Sequence, residues 1–123
     1  MDDHIQTLLE KRQHHIQQAA LLAVEIDRAN GTVFGIPHYS VIEQSAHDTG
    51  RQLSIEIQRA HANELVAGHA PKGKCPDCQT TCKLQPDTRP VTSIDGEFQL
   101  QELKGHCPAC RRDFFPHADS TRL

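Results

Sequence analysis

The sequence predicts an α+β protein in which two long helices, packed as a helical hairpin, precede a small three-stranded antiparallel sheet. Two observations carry this prediction. Apolar residues recur at steps of three and four through the N-terminal half, which is the period of amphipathic helices. Two Cys-Pro-x-Cys turns then enclose a hairpin signal in the C-terminal half. We therefore expect a helical arm over residues 1–68 and a cysteine-held sheet over residues 75–118 of the 123-residue chain.

The first helix is predicted from about Asp3 to Asn30. Asn30-Gly31 is a typical stop, because both residues tolerate the left-handed conformation that ends many helices. One face of this helix is apolar along most of its length; its positions are Ile5, Leu8, Leu9, Arg12, Ile16, Ala19, Ala20, Ala23 and Ile26. An amphipathic helix of this kind needs a partner surface, so the same face is a candidate for packing or for dimerisation.

The second helix is predicted to begin at Ser40. Ser40 and Glu43 fit a capping box, in which the serine caps the helix and the glutamate three residues later bonds back. The apolar face of this helix continues to about Val66, and Gly68 is expected to end it. Residues 68–74 (Gly-His-Ala-Pro-Lys-Gly-Lys) are predicted to be a linker from their composition.

Strand signals replace the helical period after the first Cys turn. Residues 91–94 and 97–103 are predicted to pair as a hairpin around Asp95-Gly96, since this pair tolerates the positive φ of a two-residue turn. A third short strand is expected over residues 112–115, ended by Pro116. Two Cys turns and three short strands make up a zinc ribbon, a small sheet held by one metal ion.

The five cysteines indicate a metal site. Two thiolates separated by two residues can reach one ion from a single turn, and two such turns complete a tetrahedron. The predicted ligands of one structural Zn²⁺ are Cys75, Cys78, Cys107 and Cys110. Redox chemistry and an iron–sulfur cluster are the alternatives for the same residues. Cys82 is left over and is expected to be a free thiol or a small buried residue, with His106 a neighbour rather than a ligand.

Composition narrows the class of protein. Apolar residues make up 37% and aromatic residues 4% of the chain, so a core of ordinary size is not expected and the metal would replace it. The longest apolar run, residues 19–24, is too short for a transmembrane helix, and the acidic start of the chain is unlike a signal peptide. We therefore expect a cytoplasmic protein with no membrane partner.

The sequence has no catalytic motif. It contains no phosphate loop, nucleophile elbow, dinucleotide fingerprint or His-Glu-x-x-His motif, so we expect no enzymatic activity and no small-molecule substrate. The formal net charge of −3 argues against strong nonspecific binding to polyanions. Four basic residues beside the Cys turns could still contact a few phosphates; they are Lys72, Lys74, Arg111 and Arg112.

Three stretches share a further pattern: Cys75-Pro-Asp-Cys78, Arg89-Pro-Val-Thr-Ser-Ile-Asp-Gly96 and His106-Cys-Pro-Ala-Cys110-Arg-Arg-Asp-Phe-Phe-Pro116. With Ile42-Glu43, Gly50-Arg51 and Leu53 of the second helix, they resemble the N-terminal helix and zinc ribbon of bacterial insertion-sequence transposases of the Kra type, over about residues 38–123. The resemblance implies DNA binding and a zinc site at the four paired cysteines. The glycine that often follows each Cys turn in that family is replaced here by Gln79 and Arg111.

Two functions follow as hypotheses. The family's RNase-H-like catalytic domain has no counterpart in this sequence, so the resemblance implies a non-catalytic DNA-binding or regulatory module rather than a transposase. The alternative is a protein–protein interaction adaptor, in which a zinc ribbon is the rigid end piece and the helices form a homodimer or dock on a partner. The acidic charge of the chain favours this alternative.

Overall fold

The computed structural model describes residues 2–116, and it has the predicted α+β layout of two helices followed by an antiparallel sheet. The elements are α1 (Asp3–Ala29), α2 (Tyr39–Gly68), β1 (Lys72–Lys74), β2 (Thr81–Ser93), β3 (Gly96–Cys107) and β4 (Arg112–Phe114). Met1 and residues 117–123 lie outside the described part. The last two residues of the predicted ribbon, 117 and 118, are therefore not covered. The chain divides into two compact units, Met1–Gly50 and Arg51–Leu123.

The first unit contains α1, which has the predicted bounds to within one residue. Asp2 caps its N-terminus, because the Asp2 carboxylate accepts a hydrogen bond from the backbone N–H of His4. Asn30 caps its C-terminus, and Gly31 follows with a φ of +80°, as the stop signal predicts. In the same unit the Ser45 hydroxyl donates to the Asp27 carboxylate at 2.7 and 2.9 Å.

The start of α2 differs from the prediction. The helix begins at Tyr39, one residue before Ser40, so the predicted capping box is wrong. The ring Nδ1 of His38 accepts the backbone N–H of Ser40 at 3.2 Å and lies 2.7 Å from its hydroxyl. The imidazole therefore accepts the Ser40 N–H, the group that the Glu43 side chain would accept in a capping box.

The apolar face of α1 is exposed, and so is most of the apolar face of α2. No residue of α1 or α2 is buried in the described structure. Leu21, Leu22 and Ile26 of α1 are each more than half exposed, at 62%, 57% and 59%. Helices in proteins draw most of their stability from packing of the apolar face. The periodicity therefore predicts a partner surface that the described chain does not supply for these exposed residues.

The sheet has four strands rather than the predicted three, in the order β1-β2-β3-β4 with every neighbouring pair antiparallel. β1 lies inside the segment predicted to be a linker, since Lys-Gly-Lys carries no apolar signal and forms a strand only by pairing with β2. β2 begins at Thr81, ten residues before the predicted strand.

Most of β2 was not predicted because it contains Pro86 and Pro90. A proline cannot donate a hydrogen bond to the ladder and normally argues against a strand. The backbone N–H of Leu84 donates to Pro71 O, which lies on the β1 side of β2. Pro86 and Pro90 occupy positions of the same parity as Leu84, so their nitrogens face that same side, where β1 has already ended. No ladder hydrogen bond is lost at either proline.

The β2–β3 turn is also shifted by one residue from the prediction. Ser93 pairs with Gly96, so Ile94 and Asp95 form the turn and Gly96 begins β3. Among residues 93–96, Gly96 is the one with a positive φ, of +127°. A β-branched residue such as Ile94 would be strained in that region. The Ser93 hydroxyl accepts the Asp95 N–H at 3.2 Å and fixes this alternative turn.

The buried core lies at the Cys-turn end of the sheet. Its members are Cys75, Cys82, Leu84, Leu103, Cys107 and Phe114, with Val66 and Cys110 packed against them. Gly105 makes the packing possible: a Cβ there would lie 2.7 Å from Phe114 Cε1 and 2.9 Å from Leu84 Cδ2. Cysteines thus make up half of a very small core, which agrees with the thin supply of apolar residues.

Candidate metal centre

Two turns of the same design present the paired cysteines. The first, Cys75–Cys78, connects β1 to β2, and the second, Cys107–Cys110, connects β3 to β4. In each turn the residue after the second cysteine donates its backbone N–H to the first cysteine's carbonyl: Gln79 to Cys75 at 2.9 Å and Arg111 to Cys107 at 2.7 Å.

Gln79 and Arg111 close these turns in a left-handed conformation. Their φ angles are +63° and +54°, and they are the two non-glycine residues with positive φ in the described chain. This conformation suits glycine, which is the residue that often follows each Cys turn in the transposases described above. Both turns adopt this conformation without a glycine, at the expense of some backbone strain.

The four sulfur atoms converge on one point. All lie within 4.8 Å of one another, and they were predicted as one site. The Sγ atoms of Cys78 and Cys107 are 3.4 Å apart, and those of Cys75 and Cys110 are 3.8 Å apart. Four thiolates around an ion at about 2.3 Å lie about 3.8 Å from each other in a tetrahedron. All five cysteines are free, so this cluster could hold a metal ion.

The surroundings make the four thiols unequal. The Thr80 hydroxyl, 3.1 Å from Cys78 Sγ, and the Thr80 backbone together lower the pKa of Cys78 to about 6. The neighbouring Cys78 and Cys75 sulfurs, followed by burial, raise the pKa of Cys110 to about 12. Four thiolates cannot gather without a compensating charge, and a divalent cation supplies it.

The remaining candidates lie outside the cluster. Cys82 is 5% exposed and donates its thiol to the Thr80 carbonyl at 3.4 Å, which confirms the alternative of a small buried residue. Burial and the neighbouring Cys107 raise the pKa of Cys82. His106 is exposed, and its Nδ1 lies 2.8 Å from the Asp113 carboxylate rather than near the sulfurs.

Two supporting residues escaped the sequence analysis. Thr80 is one, and its position two residues after a Cys-x-x-Cys pair is the signal that could have found it. Asp77 is the other: its carboxylate forms an ion pair with Arg112, which joins the first Cys turn to the strand after the second. The acidic residue inside one turn and the arginine after the other were visible in the sequence, but their pairing depends on the fold.

The predicted phosphate contacts occupy different surroundings. Lys72 and Lys74 lie on β1 and are exposed, and Arg111 is exposed in the second turn. Arg112 is engaged by Asp77. Lys72 and Lys74 lie on the edge strand of the sheet. Lys72 lies directly opposite Lys83 of β2, and Lys74 lies opposite Thr81.

Comparisons with known proteins add nothing to this geometry: no protein-family model, curated protein or solved structure matches the chain. Neither helix of the described structure carries a stretch apolar enough to cross a bilayer. The function is therefore argued from the four-cysteine cluster and its surroundings.

Proposed function

We propose that the four-cysteine cluster holds one structural Zn²⁺ and that the surrounding sheet is a zinc ribbon. The carrying observation is the convergence of four thiol sulfurs within 4.8 Å from two equivalent turns. Tetrahedral four-sulfur sites suit zinc or iron, and a closed site with no open position is typical of structural zinc. The redox alternative is weaker, because thiolates that bind a metal are not available for exchange.

Metal analysis of the purified chain tests this first step. We expect about one zinc per chain and no iron. Cys107→Ser is expected to lose the metal. Cys82→Ala is the matched control, because Cys82 is equally buried but lies outside the sulfur cluster, and it should keep about one zinc. An iron content equal to the chain concentration would contradict the zinc assignment.

The zinc-loaded ribbon is proposed to bind DNA as a non-catalytic or regulatory module, similar to the N-terminal region of Kra-type transposases. What supports this is the resemblance of the Cys turns and the Phe-Phe-Pro ending, together with exposed basic side chains at Lys72, Lys74 and Arg111. Phosphate contacts of this kind position a protein on DNA and are salt-dependent.

A mobility-shift titration with zinc-loaded protein tests the proposal. Retention of duplex DNA at low salt that falls steeply as salt rises supports it. Chelated protein is the control, since it should lose binding together with the sheet. No retention of any duplex at low salt by the zinc-loaded chain would contradict DNA binding.

A second candidate function is that of a protein-interaction adaptor, with the helices as a homodimer or docking surface. A specific observation favours it: α1 has no buried residue although its apolar face extends from Ile5 to Ile26. Light scattering is expected to give twice the chain mass, and Ile16→Asp should return it to one chain. Gln18→Asp, on the opposite side of α1, is the control that should leave the mass unchanged.

A further inference from the structure

One face of the sheet places lysines directly opposite each other. Lys72 of β1 pairs with Lys83 of β2, and Lys74 pairs with Thr81 two positions along. Directly paired residues share a face and alternate residues return to it, so these four side chains lie on one face. The other face at this place carries the buried Cys82. The lysines are therefore on the solvent side of the sheet at the metal end.

No carboxylate among residues 2–116 forms an ion pair with these lysines. In the described residues, the ion pairs near this end of the sheet engage Lys104, His106 and Arg112, whereas none includes Lys72, Lys74 or Lys83. Like charges directly opposite on neighbouring strands destabilise a sheet. The Lys72–Lys83 pair is thus an unfavourable arrangement in the free chain, which a bound anion would turn into a favourable one.

The acidic side chains of this sheet face, Asp87 and Asp113, lie near Lys104 of β3 rather than near β1. Lys104 is 3.3 Å from Asp113 and 4.0 Å from Asp87, so its charge is already balanced. An open groove of about 390 Å³ extends from Lys83 to this neutralised part, and its lining residues are Lys83, Gln85, Pro86, Asp87, Lys104, Gly105 and His106. The lysines without a described carboxylate partner therefore lie on the β1–β2 side of the groove.

The spacing of the lysines indicates an extended anion. Lys72 and Lys74 are two residues apart, which is about 6.6 Å along a strand, so with Lys83 they present several separate positive charges rather than one. Nucleic-acid backbones carry a charge at every nucleotide and can meet each lysine with a different phosphate. Contacts from lysine to phosphates carry no base information, so we expect them to be independent of base sequence.

We propose that the β1–β2 face formed by Lys72, Lys74, Thr81 and Lys83 contacts the phosphate backbone of duplex DNA. This assignment rests on the DNA-binding function proposed above and locates its interface. The sheet face, rather than the Cys turn that contains Arg111, supplies the main electrostatic contact, and Arg112 serves to join the two turns through Asp77.

The test measures how DNA affinity depends on salt for zinc-loaded wild type, Lys83→Gln and the double variant Lys72→Gln/Lys83→Gln. Each lysine that neutralises a phosphate contributes about 0.9 to the slope of log affinity against log salt. We expect the slope to fall by about 0.9 in the single variant and about 1.8 in the double variant, equally on two duplexes of unrelated sequence.

Lys104→Gln is the matched control, because Lys104 lies on the same sheet face but is held by two carboxylates. Its slope should equal that of wild type. Zinc content and thermal unfolding check that the variants are folded; Lys83→Gln should unfold no earlier than wild type, since it removes a like-charge pair.

The outcomes separate the two proposals. Binding by wild type with an unchanged slope in the double variant overturns the assignment of this face and leaves DNA binding intact. An equal fall in slope for Lys104→Gln overturns it as well, because a general charge effect would then explain the result. Failure of zinc-loaded wild type to bind either duplex at low salt overturns DNA binding itself.

Discussion

Single residues set the geometry of the Cys turns, and Gln79 shows how. Its φ of +63° is left-handed, which is unfavourable for a residue with a Cβ. We expect Gln79→Gly to raise the free energy of unfolding by about 0.5–1 kcal/mol, because relief of strain exceeds the added chain entropy of glycine. Chemical denaturation of the zinc-loaded protein measures it. Gln101→Gly, at an exposed position of β3, is the control and should destabilise by a similar amount.

Thr80 tunes the metal site through its hydroxyl. That hydroxyl makes the largest contribution to the lowered pKa of Cys78, which favours the thiolate over the thiol. Thr80→Val raises the pKa of Cys78, so protons compete better with the metal and the metal is released at a higher pH. We expect the midpoint of acid release to rise by about 0.3 pH unit.

Metal release can be followed with a chromogenic zinc indicator as the pH is lowered. Thr81→Val is the control, since Thr81 is the next residue, pairs with Lys74 on the exposed face of the sheet and is not part of the sulfur cluster. A midpoint that is unchanged or lower in Thr80→Val would show that the hydroxyl does not support the thiolate.

At the scale of the elements, Gly105 of β3 allows Leu84 of β2 and Phe114 of β4 to pack closely against β3. Gly105 pairs with Phe114, whose ring occupies the space above it. We expect Gly105→Ala to lower the free energy of unfolding by about 2 kcal/mol, because the added Cβ forces Phe114 and Leu84 out of a well-packed core.

Thermal unfolding compares this variant with Gly50→Ala in α2, where an added Cβ would meet nothing within 4 Å. The control should be neutral or stabilised by up to about 1 kcal/mol through helix propensity. Equal stability of Gly105→Ala and wild type would contradict the packing described for the core.

A cross-strand ion pair joins β2 to β3. Glu102 is 4% exposed, and Arg89 donates to both of its oxygens at 2.7 and 2.8 Å. Arg89→Met leaves a buried carboxylate without its partner and is expected to cost about 2 kcal/mol, less than for a fully buried pair because Arg89 is half exposed. The double variant Arg89→Met/Glu102→Met should recover most of this loss in urea denaturation. If the double variant is no more stable than the single one, the unpaired charge is not the cause.

The elements also show how far sequence analysis reaches. The four clustered cysteines were predicted together, because the spacing of a Cys-x-x-Cys turn is a local property of the chain. The C-terminal end of α1 follows from Asn30-Gly31 for the same reason. β1 could not be predicted, since Lys72–Lys74 becomes a strand only through its neighbour β2, and the pairing of Asp77 with Arg112 likewise depends on contacts distant in sequence.

At the scale of the whole molecule, the two compact units differ in what holds them. The unit from residue 51 onward contains all of the buried hydrophobic residues of the described chain: Cys75, Cys82, Leu84, Phe98, Leu103, Cys107 and Phe114. A core of this size contributes little to folding, whereas a structural zinc contributes on the order of 10 kcal/mol. The α1 helix has no buried residue and no cysteine, so its helicity does not depend on the metal.

Removal of the metal should therefore unfold the sheet and leave part of the helical signal. We expect a chelator to abolish amide protection in β2 and β3 and to expose residues 75–116 to proteolysis, while far-UV circular dichroism retains part of its helical intensity. Cys75→Ser should reproduce this state without chelator, because Cys75 is one of the four clustered cysteines, and Cys82→Ala should not. An unchanged spectrum together with unchanged proteolysis after chelation would mean that the sheet and its buried residues fold without the metal.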